Sequence, residues 1–132
     1  MERMSQRLQE AAQALQRLEE AACLKNPSEL ERDGAIQRFE FTAEAFWKAV
    51  QAYLLKQEGV ECGSPKGCMR ALGETGYANA EEVTSLLAMV DDRNLTAHTY
   101  REQLAVEIFA HLEGHQARMA AVLKRLRPGS AG

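Results

Sequence analysis

Proline is scarce, three residues in 132, and the nine glycines are too few for a collagenous or loop-dominated chain. Cysteine is sparse as well. Cys23, Cys62 and Cys68 are odd in number and form no C-x-x-C pair, so a disulfide framework or a four-ligand zinc site is not expected. Cys23 is expected as a small buried hydrophobe, and Cys62 and Cys68 as loop-adjacent thiols. Neither loop cysteine has a neighbouring histidine, and only Lys66 lies close in sequence, which argues against a reactive thiol. No apolar run approaches the ~18–20 residues of a membrane span. The first residues, MERMSQRLQEAAQALQ, are polar and amphipathic, and predict no signal peptide. An excess of one charge sign is also missing: 16 basic and 19 acidic side chains leave a net charge of −3. That excludes a histone-like polycation but not a local basic patch. With 45% hydrophobic and 27% charged residues, the composition fits a cytoplasmic globular chain rather than a disordered one. One domain over residues 1–127, with a flexible tail at 128–132, is the expectation.

Apolar residues recur at helical spacing nearly everywhere. Met1, Met4, Leu8, Ala11, Leu15, Leu18 and Ala22 form one stripe, which the Asn26-Pro27 step interrupts. Ser28 or Asn26 caps a second helix running to about Glu58, with Ile36, Phe39, Ala43, Phe46, Val50 and Tyr53 on its apolar face. Phe41, Trp47 and Leu54 widen that face. A helix of ~30 residues spans ~45 Å, longer than a small bundle needs, so part of it is expected to meet a second copy or another protein. Ser64-Pro65 predicts an N-cap and first helical residue of a short helix ending near Glu74. Asn79 caps a helix carrying Val83, Leu86, Leu87 and Val90. A last helix from Arg101 carries Leu104, Ile108, Leu112, His115, Met119, Val122 and Leu126. The expected fold is all-α, an up-and-down bundle of four main helices plus one short helix.

Chemically capable side chains crowd into one segment, Asp91-Asp92-Arg93-Asn94-Leu95-Thr96-Ala97-His98-Thr99-Tyr100. On a continuous helix Arg93 and His98 would stand ~140° apart. A helix end near Asn94 or Leu95 lets them converge, with Thr96 or Thr99 capping the final helix and both side chains at its anion-favouring N-terminus. Arginine offers a planar fork for phosphate oxygens, and histidine moves a proton near neutral pH. Such a pair suits metal-independent phosphodiester chemistry. A structural reading competes with it: Asp91, Asp92 and Arg93 as a local ion-pair network, His98 as a capping or buried polar residue, and Tyr100 as a solvent-facing tyrosine.

Arg93 to Tyr100 matches the R-x4-H-x-Y motif of the HEPN domain. More specifically, the chain resembles the nucleotidyltransferase substrate-binding proteins. Arg38-Phe39-Glu40-Phe41-Thr42 within Asp33–Thr42, Trp47-Lys48, Ser64-Pro65 and Asp91–Tyr100 match that family in order, across most of residues 30–110. The resemblance implies a dimerising helical bundle that places Arg93 and His98 of both copies in a shared cleft. It implies a toxin–antitoxin pair with a small MNT-type nucleotidyltransferase, in which the helical subunit is a ribonuclease needing no metal and no cofactor. Arg93 and His98 would be catalytic, Asn94 and Tyr100 auxiliary, and Tyr100 the residue to which the antitoxin transfers AMP. An older view of the family makes the helical subunit a non-catalytic binder of its partner's substrate. A plain helical-bundle adaptor is a third reading.

Basic residues are unevenly spread. Lys66 and Arg70 have no acid between Pro65 and Gly73, and are candidate RNA contacts. Arg118, Lys124, Arg125 and Arg127 follow the last acid, Glu113, and form either a second phosphate track or a solvated helix end. Five acids and no base occupy 74–92, which argues against broad RNA binding. Glu40 and Lys48 have no derivable catalytic role, and an inward ion pair or dimer contact is expected for them. His111 and His115 stand four apart, but no third ligand lies nearby in sequence and the glutamate is misplaced for H-E-x-x-H, so no metal site is expected. Gly114 between them suggests a close helix contact.

Overall fold

The computed structural model describes residues 2–126, and all the regular secondary structure among them is helical. Helix α1 covers Glu2–Ala22, α2 Glu29–Tyr53, α3 Pro65–Glu74, α4 Ala80–Leu95 and α5 Glu102–Leu126. A π-helical turn, Leu54–Glu58, extends α2, and a 3₁₀ turn, Thr96–His98, separates α4 from α5. The expected four long helices and one short one are therefore present. Met1 of the first stripe, Arg127 and the tail expected at 128–132 lie outside the described residues. No described helix is long and apolar enough to cross a membrane.

Local chemistry sets the boundaries. Ser28 caps α2 in a reciprocal box with Glu31, and Asn79 caps α4 in the same way with Glu82. Ser64 accepts from Gly67 N–H, with Pro65 at the first position of α3. Asn26 is no cap. It takes φ +53° in the turn after α1, a conformation asparagine tolerates. The stripe from Met4 to Ala22 is buried and packs on α2 and α5. Phe39, Phe46, Leu54, Leu86, Ile108, Leu112, Met119 and Leu126 are fully buried at the centre.

Several expectations need correction. Phe41 does not widen the core face: it lies ~200° around α2 from Phe39 and is 61% exposed. Cys23 is exposed rather than buried. Cys62 and Cys68 form a disulfide, with Cα atoms 5.1 Å apart. Sequence spacing hides this pairing, because the turn at Ser64-Pro65 brings the loop back over the first turn of α3. Gly114 makes no close helix contact, since a Cβ there would meet nothing within 4 Å. Close approach to another helix occurs instead at Gly73, where a Cβ would sit 2.8 Å from Cγ2 of Val83. Valine has little rotamer freedom to retreat, so Gly73→Ala is expected to cost about 1–3 kcal/mol by overpacking α3 against α4. Chemical denaturation of the two proteins measures it.

Candidate functional site

The residues of Arg38-Phe39-Glu40-Phe41-Thr42 step ~100° each around α2, and so reach different neighbours. Arg38 Nη1 donates to the Arg17 carbonyl at 2.7 Å, and Thr42 Oγ1 lies 3.1 Å from the Ala14 carbonyl, both on α1. Phe39 enters the core and stacks on His115, with centroids 5.5 Å apart and planes at 16°. Glu40 turns towards the end of α4, and Phe41 faces outward.

Helix α4 ends at Leu95, within the window expected from sequence. Arg93, half-buried in its last turn, directs Nη1 to Thr96 Oγ1 at 3.3 Å and to Glu40 Oε2 at 3.9 Å. The Thr96 hydroxyl lies 2.7 Å from Glu40 Oε2 and 2.7 Å from the Arg93 carbonyl. Of the ion pair or dimer contact expected for Glu40, the chain itself forms a partly exposed ion pair with Arg93. Lys48 pairs along its own helix with Glu44 at 3.2 Å.

Neither threonine caps α5. Thr96 is spent on Glu40 and Arg93, and Thr99 Oγ1 donates to the Thr96 carbonyl at 2.9 Å. The first turn of α5 closes on the Arg101 carbonyl instead. The expected convergence of Arg93 and His98 on this N-terminus is therefore not formed. Arg93 is held towards α2, while His98 is exposed and touches Tyr100 edge-on at 6.2 Å. Among the described residues no hydrogen bond, ion pair or ring contact joins Arg93 to His98. Tyr100 is 81% exposed, and Asn94 is exposed beside Arg93. The aspartate network does not form either. Asp91 pairs with Lys66 at 2.6 Å, and Asp92 Oδ2 faces two histidines.

Three of the matching stretches, Trp47-Lys48, Ser64-Pro65 and Asp91–Tyr100, each contribute to one small cavity of about 130 Å³. Glu44, Trp47, Pro65, Arg93 and Asn94 line it, bringing together residues from α2, the start of α3 and the end of α4. Burial works to raise the Glu44 pKa, but the Lys48 hydrogen bond, the Trp47 indole and the Arg93 charge together hold it below the usual carboxylate range. The indole N–H sits beside that carboxylate yet outside hydrogen-bond geometry. Trp47 Nε1 and Arg93 Nε are both buried donors without an acceptor, as is Arg32 Nε away from this cavity. Such orphans are uncommon and mark places where a ligand, ion or water belongs. Sequence reading assigned Trp47 to core or interface. Its pairing with Pro65 and Arg93 is a tertiary fact, signalled only by their joint presence in the matching stretches.

Lys66 sits beside this cavity, next to Pro65, and Arg70 is exposed one turn further along α3. Of the C-terminal basic group, Arg118 and Arg125 are not open to a phosphate track. Arg125 makes two hydrogen bonds to Glu82, at 2.8 and 2.7 Å, and a third to the Tyr77 carbonyl, while Arg118 reaches Glu82 at 3.3 Å.

A crystal structure of a Thermus thermophilus protein is 55% identical, with a TM-score of 0.87, covering 89% of this chain and 98% of that one. A Haemophilus influenzae structure, described as revealing the fold of a substrate binding domain of a nucleotidyltransferase, is 23% identical, with a TM-score of 0.70 and coverage of 91% and 98%. A structure described as a toxin-antitoxin with AMP-PNP is 13% identical, with a TM-score of 0.76 and coverage of 96% and 99%. The last two likenesses show the fold. No curated protein matches the chain. The sequence profile described as nucleotidyltransferase substrate binding protein like matches residues 6–128, most of the chain, and the protein belongs to that family.

Proposed function

We propose that the protein is the HEPN-type toxin of a toxin–antitoxin pair: a metal-independent endoribonuclease, working as a homodimer in the cytoplasm and silenced by AMP transfer to Tyr100 from a nucleotidyltransferase. The observation that carries the reading is the pair of unsatisfied donors, Arg93 Nε and Trp47 Nε1, beside exposed Asn94. A nucleic-acid phosphate offers the acceptors they lack. The exposure of Tyr100 and its contact with His98 suit a modification that adds negative charge and bulk at the catalytic edge.

A second copy answers the separation of Arg93 from His98. Leu30, 82% exposed, lies on one stripe of α2 with Gly34, Gln37 and Phe41, and Tyr100 flanks the same groove. Nothing packs against Gly34 within 4 Å, so its helix cost has no rationale inside one chain. In the dimer, His98 would take the proton from a ribose 2′-OH, and the 2′-oxygen would attack the adjacent phosphorus. The bond to the 5′-oxygen would break, with the partner subunit's His98 protonating the leaving oxygen and Arg93 offsetting the added charge. The products would be a 2′,3′-cyclic phosphate and a 5′-hydroxyl. Lys66 and Arg70 would hold the flanking backbone.

A second reading, a non-catalytic substrate-binding subunit, is favoured by the anchoring of Arg93 to Glu40 and Thr96. Incubation with RNA in EDTA, beside Arg93→Ala/His98→Ala, separates the two. Cleavage by the native chain alone is expected. Equal cleavage by both forms, or cleavage only with added metal, overturns the nuclease. No cleavage together with tight nucleotidyltransferase binding favours the second reading. In the same preparation, mass spectrometry after co-expression is expected to place AMP on Tyr100, and its appearance elsewhere removes that assignment.

A further inference from the structure

One cluster of metal-ligating side chains stands apart from the Arg93 cavity. Helix α5 carries His111 and His115 one turn apart, and packing against α4 supplies the third donor that the sequence does not reveal. Asp92 Oδ2 lies 2.8 Å from His111 Nδ1 and 2.7 Å from His115 Nε2. The three donor atoms all lie within 4.8 Å of one another. We propose that Asp92, His111 and His115 bind a divalent transition-metal ion of the zinc class, clamping the end of α4 to α5.

The donor set is two neutral imidazoles and one carboxylate, the mixture that borderline ions of the zinc class prefer. Around tetrahedral zinc, with bonds of ~2.0–2.2 Å, neighbouring ligand atoms stand ~3.3–3.5 Å apart. Each oxygen–nitrogen pair therefore needs to open by about 0.5–0.8 Å, and the two ring nitrogens, within 4.8 Å of each other, to come to the same spacing, adjustments within side-chain rotation. The ring of His115 is already oriented by its stack on Phe39. Its side chain and that of Asp92 are largely shielded, at 13% and 15% exposure, while His111 is 56% exposed. The cluster borders an open groove of about 490 Å³, lined otherwise by Arg118 and the small residues Ser85, Ala88, Ala110 and Gly114. That leaves room for a fourth ligand from solvent. Gly114 gains meaning here: it packs against nothing, and its missing side chain leaves open space in the groove.

Without an ion the cluster is a hydrogen-bonded clasp, in which one carboxylate oxygen accepts from both rings. Calorimetric titration of the metal-stripped full chain with zinc chloride tests the proposal, with thermal unfolding as a second readout. One ion per chain is expected at micromolar or tighter affinity, with a rise in Tm of several degrees. His111→Ala removes an exposed ligand and leaves the Asp92–His115 bond in place, so the variant folds. It is expected to weaken zinc binding at least about tenfold and to abolish the Tm response. Cobalt(II) should give visible ligand-field absorption with the native chain and lose it with Asp92→Asn. Failure to bind zinc, or binding that His111→Ala leaves unchanged, overturns the site and leaves the clasp alone. The proposal does not rest on nuclease activity, which is assayed in EDTA.

Discussion

Glu82→Ala is expected to lower stability by about 2–4 kcal/mol, roughly 10 °C in Tm, because charge-assisted hydrogen bonds and a helix cap disappear together. Glu82 is nearly inaccessible, and it accepts from Arg125, Arg118 and the Asn79 backbone N–H, so one carboxylate ties α4 to α5 and closes the start of α4. Its loss leaves the Arg118 and Arg125 guanidinium groups without their shared countercharge, and Arg125 with only the Tyr77 carbonyl as acceptor. The hydrogen bonds from Arg125, foremost, and from the Asn79 backbone lower its pKa from 4.5 to about 2 against the opposing effect of burial. A carboxylate whose pKa is depressed on folding contributes its full stabilisation above the unfolded value, near pH 4.5, and loses it as pH falls towards 2. The shift corresponds to ~3 kcal/mol in full, reduced to about 1–2 kcal/mol because both arginines are a third or more exposed and solvent screens them. Thermal unfolding followed by circular dichroism between pH 5 and pH 2.5 should therefore show a steeper acid loss for the native chain than for Glu82→Ala. A parallel pH dependence in the two proteins would remove Glu82 as the cause.

On the proposed nuclease reading, His98→Ala is expected to lower RNA cleavage by about 10²–10⁴-fold, the usual contribution of a positioned general acid–base. It should leave stability within about 0.5 kcal/mol, because an exposed side chain that makes no hydrogen bond contributes little to folding. The contrast with Arg93 is informative. Arg93→Ala removes a half-buried group bound to Glu40 and Thr96, and is expected to reduce both cleavage and Tm. Cleavage rates across pH 5–8, measured with equal folded fractions, separate these cases: loss of the imidazole removes the acid–base group and flattens the pH dependence of the rate. A His98→Ala protein that cleaves at the native rate would remove the histidine from the chemistry.

The helices were legible because their determinants are local. Apolar stripes at three- and four-residue spacing, the Ser28, Ser64 and Asn79 caps, and the break near Leu95 each depend on neighbours within a turn or two. The aromatic face of α2 was only partly legible. Spacing assigned Phe39 and Phe46 to the core, while Phe41 needed its angular position to be weighed against a finite packing surface. The candidate site divides in the same way. The crowding of Arg93, Asn94, His98 and Tyr100 is written in ten consecutive residues. The direction in which Arg93 points is not, because Glu40 competes for it from a different helix far back in the chain.

Charge pairing marks the limit of sequence reading. Asp92 looked like a partner for Arg93, yet packing hands it to His111 and His115, 19 and 23 residues later. Arg118 and Arg125 looked like part of either a phosphate track or a solvated helix end, yet Glu82 engages both. The spacing of Cys62 and Cys68 told nothing of the turn that joins them. From composition and periodicity alone, this chain was bound to be a bundle of amphipathic helices with those ends and that polar junction. Which carboxylate meets which cation, and which donors stay unsatisfied beside Trp47, followed from the packing of α2, α4 and α5. Helix formation is governed by hydrogen bonds and contacts within a few residues. Ion pairing is decided by whichever oppositely charged group tertiary packing brings within ~4 Å.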